Sequence, residues 1–242
     1  MKSDVAMRLI ELNREFYSRF GDSFSATRQR IQPGVRRVLE TLNGDEDILD
    51  LGCGNGWFAR ELAERGHRGS YLGIDFSLPL LRYAESLPKT FPATFKEMDL
   101  TQLSSFSNQI LLNGKRSLIT AFAVLHHVPS REFRLNILQT IHHLLKSDGL
   151  FVHSNWQFLN SQKLKSRIQD WSKVRLLSDD VDPNDYLLDW KSGGNGLRYV
   201  HHFDENELQE LAGAASFYIT DTFYSDGEGG KLGIYQSWKA AS

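Results

Sequence analysis

The chain has 242 residues, long for one compact domain and short for two, so a single domain with extensions is expected. Hydrophobic residues make up 40% and aromatics 12%, ample for a sizeable core, and the formal charge of −2 gives no overall pull toward nucleic acid, so any polyanion contact must be a local patch. The single cysteine, Cys53, cannot close an internal disulfide, no apolar run approaches a membrane span, and the N-terminus has no signal-peptide core; a soluble cytoplasmic protein without membrane contact is expected.

Residues 4–20 carry Met7, Ile10, Leu12, Phe16 and Phe20 at roughly helical spacing, and Tyr17 to Arg28 reads as a loop that ends this helix. Pro33 suits the first turn of a second helix with Val35, Val38, Leu39 and Leu42 inward. Residues 1–34 thus form a helical extension or cap, and 35–242 the main domain. Ile48 to Leu51 is a buried strand running into Gly52-Cys53-Gly54-Asn55-Gly56, with helix 57–65 following and Gly66 as its C-cap. Ser70 to Asp75, Ala93 to Asp99, Ser117 to Val124 and Leu150 to Ser154 read as further strands. Helices fill 78–87 and the stretch after Ser130, the latter stopped by Asp148-Gly149. Polar residues 157–197 read as a lid-like insertion rather than sheet. Asp204 opens a last helix, and strands near 216–224 and 232–238 suggest a terminal hairpin. The expected fold is α/β, a doubly wound, seven-stranded and mostly parallel Rossmann-like sheet with a C-terminal antiparallel hairpin.

In such a sheet ligands bind at the carboxyl ends of the strands, where Asp50, the glycine turn, Asp75, Asp99 and the Ala121 to His127 segment converge. Glycines let the backbone turn sharply and a ligand come close, and the free amides of the following helix face it. Asp75, 19 residues beyond Gly56, can accept from two ribose hydroxyls, and Asp99 from an exocyclic adenine amine, with the Leu100 amide donating to a ring nitrogen. Asp50 can attract an ammonium or a sulfonium. The ligand implied is S-adenosylmethionine, leaving as S-adenosylhomocysteine. Any one of these aspartates would serve equally as a helix cap, and only their alignment with the turn favours a site. A nicotinamide-dependent dehydrogenase is the nearest rival, but it calls for neither Asp50 nor the hairpin.

Asp50-Leu51-Gly52-Cys53-Gly54-Asn55-Gly56, Gly73-Ile74-Asp75, Met98-Asp99-Leu100 and Ala123-Val124-Leu125-His126-His127 resemble the successive motifs of class I S-adenosylmethionine-dependent methyltransferases. The resemblance covers about residues 35–240 and implies cofactor contacts at Asp50, Gly52, Cys53, Gly54, Asn55, Asp75, Phe76, Asp99, Leu100 and Ala121. Lys146-Ser147-Asp148-Gly149 departs from the family's usual Pro-Gly-Gly turn. Phe24-Ser25-Ala26-Thr27-Arg28, Ala121 to His127, Ser130-Arg131-Glu132 and Arg198-Tyr199-Val200-His201-His202-Phe203 resemble, more narrowly, the eukaryotic enzymes that methylate the carboxymethyl group on wobble uridine of tRNA, Val200 departing from that group's tyrosine.

A carboxylate acceptor is already nucleophilic and needs cations to hold it rather than a base, which singles out Arg28 and Arg198. Arg28 fits equally the carboxylate of the cofactor's methionine, and both arginines fit an ordinary surface role. His127 is the candidate base or substrate contact, with Tyr17, Tyr199 and His201 also on the substrate side, and His153 lies near a strand end. No histidine or cysteine spacing suits a metal. Lys163, Lys165, Arg167, Lys173 and Arg175, interleaved with Trp171, could track tRNA phosphates and stack a base, or be a solvated face. A near-neutral chain acting on tRNA implies a small accessory subunit. A small-molecule O- or N-methyltransferase and a non-catalytic activator with a methyltransferase fold stay open beside the tRNA enzyme.

Overall fold

The computed structural model describes residues 1–26, 30–84, 91–192 and 194–241. Helix α1 (Ser3–Ala26) buries Val5, Ala6, Leu9, Ile10, Asn13, Phe16, Tyr17 and Phe20, three or four residues apart, so one face is committed to packing. It does not end in a loop at Tyr17. The weak helix formers Gly21, Asp22 and Ser23 stay helical because this end packs on the helix at 78–84, where the Tyr83 hydroxyl donates to Asp22 at 3.4 Å.

From residue 33 the alternation runs α2 (Pro33–Leu39), β1 (Ile48–Leu51), α3 (Trp57–Glu64), β2 (Tyr71–Asp75), α4 (Leu78–Ala84), β3 (Ala93–Glu97) and α5 (Leu103–Leu111). Then follow β4 (Arg116–Phe122), α6 (Arg131–Leu144) and β5 (Leu145–Trp156). The sequence reading missed α5 and carried α6 four residues too far, for the chain is already extended at Leu145. Ser130 caps α6 as expected, accepting from the Glu132 amide at 3.2 Å. After β5 come α7 (Gln162–Lys165), β6 (Ile168–Gln169), β7 (Asp185–Trp190), β8 (Gly196–His201), α8 (Glu205–Ala214), β9 (Phe217–Ser225) and β10 (Gly233–Ala240).

The main sheet has seven strands in the order β3-β2-β1-β4-β5-β10-β9, parallel from β3 to β5, with β10 antiparallel to both neighbours. It is the doubly wound sheet with a terminal hairpin that the strand pattern implies. Successive β1 side chains serve opposite faces: Leu49 and Leu51 join a core with α6 and α8, while Ile48 joins one with α2 and α3. Asp50 shares the Ile48 face and lies in register with Gly73 on β2 and Thr120 on β4, so its carboxylate is deep in the sheet.

Residues 157–197 are not a lid without sheet. They contain β6, β7 and the start of β8, which form a second, antiparallel sheet in the order β6-β7-β8. Helix α1 packs along β8, and Gly196 makes the approach possible: an added β-carbon there would meet the Phe20 ring at 2.6 Å and the Phe16 ring at 3.1 Å. The cap helix is thereby wedged between the small sheet and the carboxyl edge of the main one. Among the described residues no helix is long and apolar enough to cross a membrane.

Candidate active site

The glycine turn is shaped by positive φ at Gly52 (68°), Gly54 (55°) and Gly56 (75°), a region costly for residues with a β-carbon. At Gly52 such a carbon would also lie 2.4 Å from the Val124 side chain, whereas at Gly54 it would point into open space. That space belongs to a cavity of about 250 Å³ bounded by the turn, Asp50, Asp75, Phe76, Asp99, Leu100, residues 122–124, His127 and the α1 side chains Ile10, Asn13, Arg14 and Tyr17.

Three carboxylates meet this cavity in different states. Asp75 accepts from the Gly54 amide at 2.8 Å on one oxygen and from the Ser77 amide at 2.8 Å on the other, which locks the turn to the end of β2. Each oxygen retains a lone pair, the requirement for holding two vicinal ribose hydroxyls. Asp50 accepts from the Tyr71 hydroxyl at 2.6 Å and from the Thr120 hydroxyl at 2.7 Å; it is an anion fixed within the sheet and acts on a cationic ligand as a nearby charge. Asp99 takes both the amide and the hydroxyl of Thr101 on one oxygen, and Arg14 from α1 on the other. An adenine amine must share that second oxygen with Arg14. The open glycine cradle and the spare capacity on Asp75 fit an adenosyl sulfonium.

Burial pushes the carboxyls of both Asp50 and Asp75 up to about 6, against the hydrogen bonds that favour their ionised forms. Below about pH 4 both are protonated folded or unfolded; between there and about 6 the folded chain holds the extra protons, so ligand-free stability falls as pH rises through that window, on the order of 3 kcal/mol per group at most. A cation and ribose donors favour the ionised forms. Affinity for S-adenosylmethionine is therefore expected to rise with pH, by up to about tenfold per pH unit for each of the two carboxylates, until about 6 and then level off. Calorimetric titration from pH 5 to 8 checks this, and a flat profile would remove these carboxylates from the site.

The wall opposite the glycine turn comes from α1, the turn at 125–127 and β8. The His127 Nδ1 donates to the Tyr199 carbonyl at 3.2 Å, since a carbonyl can only accept. In the neutral ring Nε2 is then an acceptor, and the Tyr17 hydroxyl donates to it at 2.8 Å. Tyr17 packs edge-on to Phe76 and Phe16. Arg198, one residue before Tyr199 on β8, does not line the cavity; it is 4% exposed, its guanidinium 4.8 Å from the Trp156 ring centre, 5.5 Å from Phe16 and 5.6 Å from Trp190. Its Nε is buried without a hydrogen-bond partner, and among the described residues no carboxylate pairs with it. A buried cation facing aromatic rings, with no carboxylate paired to it among the described residues, is suited to meet an anion.

Other expected site residues fall differently. Arg28 lies outside the described residues. Cys53 lines the cavity with its thiol pushed up by burial and by Asp50 and Asp75, while Asn55 also lines it and donates to the Ser25 hydroxyl of α1 at 2.9 Å. Ala121 is fully buried in the α6–α8 core, and Phe122, Ala123 and Val124 line the cavity in its place. Tyr199 and His201 do not present side chains to a substrate: the Tyr199 hydroxyl donates to Asp185 at 2.6 Å, and the His201 ring is clamped between Asp185 and Glu207 at 2.7 and 2.8 Å. His153 is fully buried against Phe151 and Trp238, and desolvation lowers it to about 3, so it serves as a neutral core residue. Trp171 cannot stack a base, being buried with Val5, Leu9 and Leu187, although Lys163, Lys165, Lys173 and Arg175 around it are exposed. The sequence reading missed Asn13 and Arg14, polar residues on the α1 face that carries Tyr17.

Residues 24–222 match a family described as a methyltransferase domain. A protein of Encephalitozoon cuniculi, provisionally named a methyltransferase, is 27% identical over 85% of this chain and 87% of its own length. A carboxy-S-adenosyl-L-methionine synthase of Nautilia profundicola is 24% identical over 70% of this chain and 73% of its own. The mouse tRNA (carboxymethyluridine(34)-5-O)-methyltransferase ALKBH8 is 25% identical over 68% of this chain, which spans only 24% of that protein. The fold is also that of an S-adenosylmethionine-dependent methyltransferase from Methanosarcina mazei, with a TM-score of 0.64 at 22% identity over 88% of this chain and 99% of that one. With the glycine turn, the strand-end carboxylates and the seven-stranded sheet in place, the chain belongs to the methyltransferase domain family and is an S-adenosylmethionine-dependent enzyme of it.

Proposed function

We propose that the chain transfers a methyl group to a carboxylate, that of a carboxymethyl group on the wobble uridine of tRNA. The observation that carries this is Arg198, a buried guanidinium that no carboxylate pairs with among the described residues, next in β8 to Tyr199, whose carbonyl takes the His127 Nδ1–H at the cavity wall. A guanidinium fork matches a carboxylate in two parallel hydrogen bonds. When bound, S-adenosylmethionine supplies an electrophilic methyl on a sulfonium. A carboxylate oxygen forms the new O–CH₃ bond as the S–CH₃ bond breaks, giving an ester and a neutral thioether with no proton released, so no base is needed. The role left to the chain is alignment and exclusion of water: Arg198 orients the acceptor, and Tyr17 and Phe76 close the cavity around the reacting carbon. His127, its Nε2 engaged by Tyr17, orients the phenol.

The choice of tRNA is supported by the likeness to ALKBH8 and by the exposed Lys163, Lys165, Lys173 and Arg175 on the small-sheet insertion. With a formal charge of −2 the chain alone attracts phosphates weakly, and a small basic accessory subunit completes the reading. Incubating the protein with methyl-labelled S-adenosylmethionine and bulk tRNA is expected to label material that RNase digests and that mild base releases as methanol. Label that is stable to base, or that appears only in small metabolites, would shift the assignment to an O- or N-methyltransferase of small molecules. No transfer despite cofactor binding would favour a non-catalytic activator.

A further inference from the structure

Asn13 lies on α1 one turn before Tyr17 and is 5% exposed. Its amide spends its hydrogen-bonding capacity on two backbone segments. The oxygen accepts from the Tyr199 amide at 2.8 Å, and the nitrogen donates to the Tyr199 carbonyl at 3.1 Å and the His127 carbonyl at 3.2 Å. β8 is an edge strand of the small sheet, and to it the Asn13 amide behaves as the peptide of a neighbouring strand would. The same Tyr199 carbonyl also receives the His127 Nδ1–H at 3.2 Å. One backbone oxygen therefore takes a donor from the helix that carries Tyr17 and another from the turn that carries His127, and it sits one residue from Arg198.

We infer that Asn13 is the positioning residue of the acceptor side, tying Tyr17, His127 and the strand of Arg198 to one point. The inference rests on the proposal that Arg198 holds the acceptor while Tyr17, oriented by His127, closes on the reacting carbon. Asn is suited by chemistry: it supplies one acceptor and two donors within a short reach, and aspartate, of the same shape, would set an anion against two carbonyl oxygens. A serine keeps a hydroxyl but cannot bridge both segments.

The test compares Asn13→Ser and Asn13→Asp with the unaltered protein in three measurements. Because the polar atoms of Asn13 are all engaged by protein, S-adenosylhomocysteine affinity is expected to fall by much less than kcat/KM for the acceptor. For the acceptor, kcat/KM is expected to fall about 100-fold, the cost typical of a lost near-attack geometry. Nitrogen-15 spectra are expected to show the His127 ring as the Nδ1–H tautomer in the unaltered protein and as a mixture of tautomers in the variants. A His127 spectrum unchanged in both variants overturns the inference. So does unchanged kcat/KM in both variants where Arg198→Gln is inactive. If Arg198→Gln and His127→Ala keep full activity, the acceptor assignment fails, and the tautomer measurement still decides the positioning role because it needs no acceptor.

Discussion

Replacing Asp75 by alanine is expected to weaken S-adenosylhomocysteine binding by about 100-fold or more, because two charge-assisted hydrogen bonds to ribose, at about 1.5–3 kcal/mol each, disappear together. The loss is compounded by what Asp75 does for the protein itself. Its oxygens hold the Gly54 and Ser77 amides, so the glycine turn loses its anchor as well as the ligand its acceptor. Asp75→Asn separates the two effects: it preserves the shape and one acceptor oxygen but presents a donor where Gly54 already donates. It is expected to bind nearly as poorly as the alanine variant. Its ligand-free stability near neutral pH should nevertheless hold or rise, since the desolvated carboxylate, pushed up to about 6, is ionised there at a cost. Calorimetry with the nucleoside and thermal melts with and without it check both statements. Wild-type affinity in either variant would remove the ribose assignment.

How far the sequence could be read depends on how local each feature is. The glycine turn, its flanking strand and the aspartates at strand ends are short-range patterns, and the structure brings Asp50, Asp75 and Asp99 to one cavity. The small sheet was hidden because β7 is covered on both faces: Leu187 packs with α1 residues and Leu188 with Phe158 and Val200, so the alternation that betrays a half-buried strand is absent. Trp171 looked like a base-stacking ring because its neighbours are cationic, but α1, some 160 positions away, covers it. For the same reason Asn13 and Arg14 were illegible. A polar residue in an amphipathic helix ordinarily faces water, and only the docking of α1 between two sheets gives Asn13 a strand edge and Arg14, already paired with Glu11 in the helix, the carboxylate of Asp99. The helix itself persists past Gly21 through contacts with α4 rather than through propensity.

Arg198 gives the sharpest division between a structural and a functional residue, because the two roles predict opposite stability effects. Were the guanidinium there to hold the fold, Arg198→Met would cost several kcal/mol, as breaking a buried ion pair does. Here no carboxylate pairs with it among the described residues, and what the protein offers is the aromatic faces of Trp156, Phe16 and Trp190. Cation–π attraction, about 0.5–2 kcal/mol, opposes the desolvation of a buried cation, so Arg198→Met is expected to change stability by no more than about 1 kcal/mol in either direction. Activity behaves otherwise. Loss of a bidentate, desolvated contact to a carboxylate is expected to lower kcat/KM by about 1,000-fold with cofactor affinity intact, and Arg198→Lys, which restores charge without the planar fork, should recover only part of it. Melting temperature, cofactor titration and initial rates on the same preparations decide the matter. A variant that melts early and loses activity only in proportion to its unfolded fraction would make Arg198 a packing residue, and the carboxylate acceptor would lose its principal support.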